Sequence, residues 1–108
     1  MALGTNRDYK KSHDAIQRAL DFFESRKSEL IDKFSLPEEE ANHKAFKEAR
    51  LINSLTVKQQ NILKRIRDQY KLVSFSLGGG VISIYYNDGT GQICEVYNGR
   101  GKALHEKK

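Results

Sequence analysis

At Lys71 the spacing of apolar side chains changes its period, and that switch constrains the fold more than any other feature. Before it, apolar residues recur at steps of three, four and seven, the repeat of one helical face. After it they alternate, the repeat of a half-buried β-strand. The pattern predicts an α+β protein: two or three N-terminal helices packed on a three-stranded antiparallel C-terminal meander, followed by a basic tail. A length of 108 residues suits one domain. Within it we expect a frayed N-terminus over 1–11, a helical part over 12–70, the meander over 71–97 and a flexible basic tail over 98–108.

Ser12 can cap a first helix running to about Lys33, with Ile16, Ala19, Leu20, Phe23, Leu30, Ile31 and Phe34 on its apolar face. Phe22 lies beside that face, and the stem of Lys27 can lie along it. Ser35-Leu36-Pro37-Glu38 reads as a helix start, with Ser35 as cap and Glu38 reaching back. Ala41, Ala45, Ala49 and Ile52 then form a stripe small enough for close helix approach. Asn53–Thr56 reads as a break, and Thr56 with Gln59 as a capping box for a helix from Val57 to about Tyr70. That helix would bury Ile62, Leu63, Ile66 and Tyr70. One unbroken helix over 37–70 is the alternative, since no residue there forbids it.

In the strands, Val73, Phe75 and Leu77 share one side, and Ile82, Ile84 and Tyr86 another such set. Gly78-Gly79-Gly80 and Asp88-Gly89 mark two hairpin turns. In the third strand Ile93, Glu95 and Tyr97 oppose Cys94 and Val96. We expect Tyr85, Ile93 and Tyr97 on the sheet face away from the helices, an amphipathic surface suited to a protein partner.

Little here points to catalysis. His13, His43 and His105 are scattered, and no His-Glu-x-x-His or Gly-x-Ser-x-Gly is present. Gly78-Gly79-Gly80 leads into a strand, whereas a phosphate-cradling loop leads into a helix. Gly101-Lys102 lacks the glycine a Walker motif needs five positions earlier, where Val96 stands. We therefore expect no enzyme, metal or cofactor. One cysteine, Cys94, cannot form an internal disulfide, and no apolar stretch is long enough to cross a membrane. No secretory leader is visible. These features suggest a reducing, cytoplasmic setting.

Charge is distributed unevenly. The net +5 comes from 56–71 and 98–108, which carry +4 and +3. Such local excess draws polyanions. The helix after the break offers Lys58, Gln59, Asn61, Lys64, Arg65 and Arg67, with Lys71 following; Gln, Asn and Arg pair with base edges and Lys with phosphates. Two helices, a short turn and a hairpin resemble in outline a winged helix-turn-helix, with that helix as reader. Asn98-Gly99-Arg100-Gly101-Lys102 after a tyrosine-bearing strand resembles the DNA-binding end of the H-NS-type nucleoid proteins. It departs from them in having Lys102 for a second arginine and no following proline. The resemblance implies that Arg100 enters a minor groove.

The expected function is a small non-enzymatic nucleic-acid-binding regulator, for DNA rather than RNA, using Lys58, Gln59, Asn61, Lys64, Arg65, Arg67, Lys71, Arg100 and Lys102. The alternative is a protein-binding inhibitor or modulator of a nucleic-acid-processing machine, using Tyr85, Ile93 and Tyr97. A long amphipathic first helix would also suit a homodimer.

Overall fold

The computed structural model describes residues 6–104, with side chains from residue 13. Three helices, α1 (Asn6–Phe34), α2 (Glu38–Ala49) and α3 (Val57–Gln69), precede three strands, β1 (Lys71–Gly78), β2 (Val81–Asn87) and β3 (Gln92–Tyr97). The strands form one antiparallel sheet in the order β1-β2-β3, so the protein is α+β, as the period switch at Lys71 implies. The chain divides into two compact units, residues 1–53 and 54–108.

The first unit is an antiparallel pair of helices, α1 and α2. α1 begins at Asn6, earlier than Ser12, because no proline or glycine between 6 and 34 interrupts it. Of the N-terminus expected to fray, residues 1–5 lie outside the described residues. The link to α2 also differs from expectation. Ser35 does not cap α2; it ends α1 in a left-handed conformation, φ +57°. Its amide donates to the Ile31 carbonyl and that of Leu36 to the Leu30 carbonyl. Pro37 takes the capping position of α2 without a side-chain bond. Glu38 is drawn instead to the Lys27 ammonium, 3.4 Å away.

Leu30, Ala41 and Ala45 form the center of this unit, with Phe23, Ile31, Phe34 and Leu36 packed around them. The alanines let the helix backbones come close. The apolar stripe predicted on α1 is rotated toward Phe22, which is buried, leaving Ile16 and Leu20 exposed at 61% and 49%. At the center of the packed face stands Arg26, 0% exposed. Its Nε donates to Glu48 Oε1 at 2.7 Å and its Nη1 to Glu29 Oε1 at 3.0 Å. Lys44 and Lys33 bind the far sides of those carboxylates. Asn53 ties the 3-10 turn Ile52–Ser54 to α1, donating to the Ala15 carbonyl and accepting from Arg18.

In the second unit the break is real. Thr56 Oγ1 accepts from the Gln59 amide and Gln59 Oε1 from the Thr56 amide, so the capping box closes and α3 starts there. α3 buries Leu63 and Ile66; Ile62 is half-buried and Tyr70 is 37% exposed. Leu63 and Ile66 cover a sheet face made by Leu72, Phe75, Ile82, Ile84 and Tyr86. A bulge between Leu72 and Ser74 resets the alternation in β1, so Leu72 takes the core place expected for Val73. Gly79 and Gly80, at φ +61° and +76°, make the tight turn between β1 and β2. The second turn is held by Asp88 Oδ1, which accepts from the Thr90 hydroxyl and amide. Those bonds, the hydroxyl's first, hold the Asp88 carboxyl below its ordinary range.

Candidate nucleic-acid interface

The stretch after β3 is folded, contrary to the flexible tail expected from its composition. Asn98 organises it: Asn98 Oδ1 accepts from the Arg100 and Lys102 amides at 2.9 and 3.0 Å, and the Asn98 amide donates to the Lys102 carbonyl. Ala103 pairs with Tyr97, and the Leu104 amide donates to the Val96 carbonyl at 2.8 Å. Residues 105–108, with Lys107 and Lys108 of the basic tail, lie outside the described residues.

The loop docks on the start of α3. Thr56 Oγ1 donates to the Gly99 carbonyl at 2.7 Å. Gly101 has φ +81°, and a Cβ built there would lie 3.0 Å from Lys58 Cβ and 3.5 Å from Ile62 Cδ1. Only glycine gives both the backbone angle and the close approach. Two separate cationic segments of the sequence thus become one surface, with Lys58 beside the loop that bears Arg100 and Lys102.

Helical spacing puts Lys58, Asn61 and Arg65 on this same flank of α3. Arg65 acts on Tyr97 in β3 through its charge and a side-chain hydrogen bond, both of which lower the Tyr97 pKa. Burial and the bond to Glu95 outweigh them and push the Tyr97 hydroxyl up. Glu95 accepts from two phenols, Tyr97 at 2.5 Å and Tyr86 at 2.7 Å. The Tyr86 ring stacks on Tyr70 with centroids 4.9 Å apart. Burial, then the Glu95 bond, raises the Tyr86 hydroxyl well above the usual phenol range.

The other expected contacts divide. Lys64 is exposed but paired with Asp68 at 3.4 Å. Arg67 is half-buried on the opposite flank of α3. Lys71 is exposed at the start of β1. Gln59 corrects the sequence expectation outright. It is 1% exposed, and its Nε2 donates to the Gly80 and Tyr97 carbonyls at 3.0 and 3.5 Å while its Oε1 serves the capping box. A residue expected to read bases is a structural cross-link between α3, the β1–β2 turn and the end of β3.

The tyrosine surface is corrected as well. Ile93 pairs with Tyr86 and Tyr97 with Ile82, so both lie on the face that α3 covers. Tyr85 pairs with Cys94 on the opposite face, beside Ser74 and Ser83. Tyr85, Ile93 and Tyr97 therefore cannot form one patch; the register across the second turn separates them.

Among the described residues, no carboxylate pairs with Lys58, Arg65, Lys71, Arg100 or Lys102. In the first unit Arg26, Lys27, Lys33 and Lys44 are all ion-paired. That unit carries instead an apolar groove of about 450 Å³ floored by Ala19, Phe23 and Ala49 and rimmed by Ile16, Leu20 and Phe46. Among the described residues no helix is long and apolar enough to cross a membrane, and no cluster of His, Cys, Asp and Glu could hold a metal ion. Comparison with known proteins finds no family model, curated protein or solved structure that matches this chain.

Proposed function

We propose that this is a small non-enzymatic protein that binds nucleic acid, duplex DNA rather than RNA, through the basic surface of its second unit. One observation carries the reading. Residues 1–53 hold ten basic and ten acidic residues, while 54–108 hold nine and four, so the whole net charge of +5 falls in one unit. There Lys58 and Arg65 of α3, and Arg100 and Lys102 of the Asn98–Lys102 loop, lack carboxylate partners among the described residues. Unpaired cations on a rigid scaffold attract a polyanion without first breaking internal ion pairs. A cytoplasmic setting goes with this reading and with the exposed free thiol of Cys94.

The test is fluorescence anisotropy with a 20-bp duplex across a salt series. Affinity is expected to fall steeply with salt, because each neutralised phosphate releases counterions. Replacing Lys58, Arg100 and Lys102 together by Ala should reduce the slope of log K against log salt by about 3, at ~0.9 per lost phosphate contact. An unchanged slope in that variant overturns the reading.

A second reading, a protein-binding modulator, is favoured by the groove of the first unit. Phe46 is 56% exposed on its rim, and an amphipathic helix of a partner fits a groove so lined. Phe46→Asp should abolish capture of such a partner and leave DNA affinity intact.

A further inference from the structure

Resting on the nucleic-acid reading, we infer that this surface grips the phosphate backbone and does not read base edges, so that binding is independent of sequence. Base edges are read with most discrimination by a free planar fork: the amide of Asn or Gln, or a guanidinium. At the loop end of α3 most of the amide forks are spent inside the protein. Gln59 Nε2 and Oε1 bond Gly80, Tyr97 and Thr56. Gln60 Nε2 donates to the Leu55 carbonyl at 3.1 Å. Asn98 Oδ1 accepts two loop amides. Asn61 is the amide left on the flank beside the loop, and Gln69 lies at the far end of α3, about 12 Å further along the axis at 1.5 Å per residue.

What the surface presents instead are cations. Lys58 and Lys102 carry ammoniums, which suit phosphates as point charges. Arg100 is exposed on a loop whose backbone is fixed by Asn98 and by the close contact of Gly101 with Lys58. That loop therefore lacks the freedom to thread an extended arm along a minor groove. Fixed backbone and point charges position a duplex but carry no sequence code.

Selection from a random 20-bp duplex pool, followed by anisotropy on AT-rich and GC-rich duplexes with the full chain, tests this. No motif should be enriched, and affinities should agree within about 3-fold at each salt, against the 10³-fold or more that separates specific from non-specific sites. Arg100→Ala should weaken binding equally on every duplex, and Arg100→Lys should restore it to within about 2-fold, because a phosphate accepts either cation whereas a base fork does not. An enriched motif, a strong AT preference, or failure of Arg100→Lys to rescue overturns this inference and leaves the nucleic-acid reading standing. Absence of salt-dependent binding to any duplex overturns both. Circular dichroism of each variant confirms that lost binding is not lost folding.

Discussion

Ser35 holds a left-handed backbone at the end of α1 with its side chain exposed. An L-residue there sits about 1 kcal/mol above glycine, so Ser35→Gly should raise stability by that order in urea unfolding. Gln59 has the opposite sign. Its removal leaves the Gly80 and Tyr97 carbonyls without their amide donor and opens the capping box. Gln59→Leu should cost about 1–3 kcal/mol by the same measurement, the range for an unmade buried bond. Tyr86 gives a pH signature. Its hydroxyl titrates at 10.0 in the unfolded chain and higher in the folded one. The folded state then holds the proton longer, so stability is complete below about pH 10 and is lost as pH rises through the folded value. Tyr86→Phe should flatten the alkaline limb of a stability–pH curve, leaving the smaller contribution of Tyr97. For Gln59 the sequence signal, the Thr56–Gln59 spacing, competed with its equally good chemistry for reading a base. Burial decided between the two.

Between elements, the α1–α2 pair is joined by a charge buried at the center of its contact. Arg26→Ala leaves Glu48 and Glu29 facing one another without their guanidinium, at a cost of about 3–5 kcal/mol. Arg26→Met combined with Glu48→Leu should recover most of that loss, because apolar residues of similar volume replace a buried pair at little cost. Helix circular dichroism through a urea titration checks both. Arg26 falls at helical spacing with Phe22 and Leu30, yet a cation on an apolar stripe looks like an interruption until its partner on another helix is known. The strands show the same limit. Alternation placed every core residue of β2 correctly, because a regular strand leaves one choice. It misplaced Val73 for Leu72, where a bulge adds a residue, and misplaced Ile93 and Tyr97, whose face depends on pairing across a four-residue turn.

Across the whole molecule, charge serves two different purposes. In the first unit Arg26, Lys27, Lys33 and Lys44 are held in ion pairs, whereas in the second Lys58, Arg65, Lys71, Arg100 and Lys102 are displayed without one among the described residues. Retention on heparin resin reads the difference. Lys58→Ala with Arg100→Ala should elute at clearly lower salt than the native chain. Lys27→Ala with Lys33→Ala removes as much charge from paired sites and should shift elution much less, since each loss also frees a carboxylate. Equal shifts would show that only net charge matters. Local order along the chain was determined by the sequence itself: the switch of period at Lys71, the capping box at Thr56 and the glycine turns act over a few residues, where steric and hydrogen-bonding rules leave few options. Which cations share a surface, which amides are consumed and which tyrosines face inward were decided only by the tertiary structure. Those outcomes depend on strand register and on the docking of Gly99–Gly101 against α3, contacts between residues some forty positions apart that no local pattern encodes.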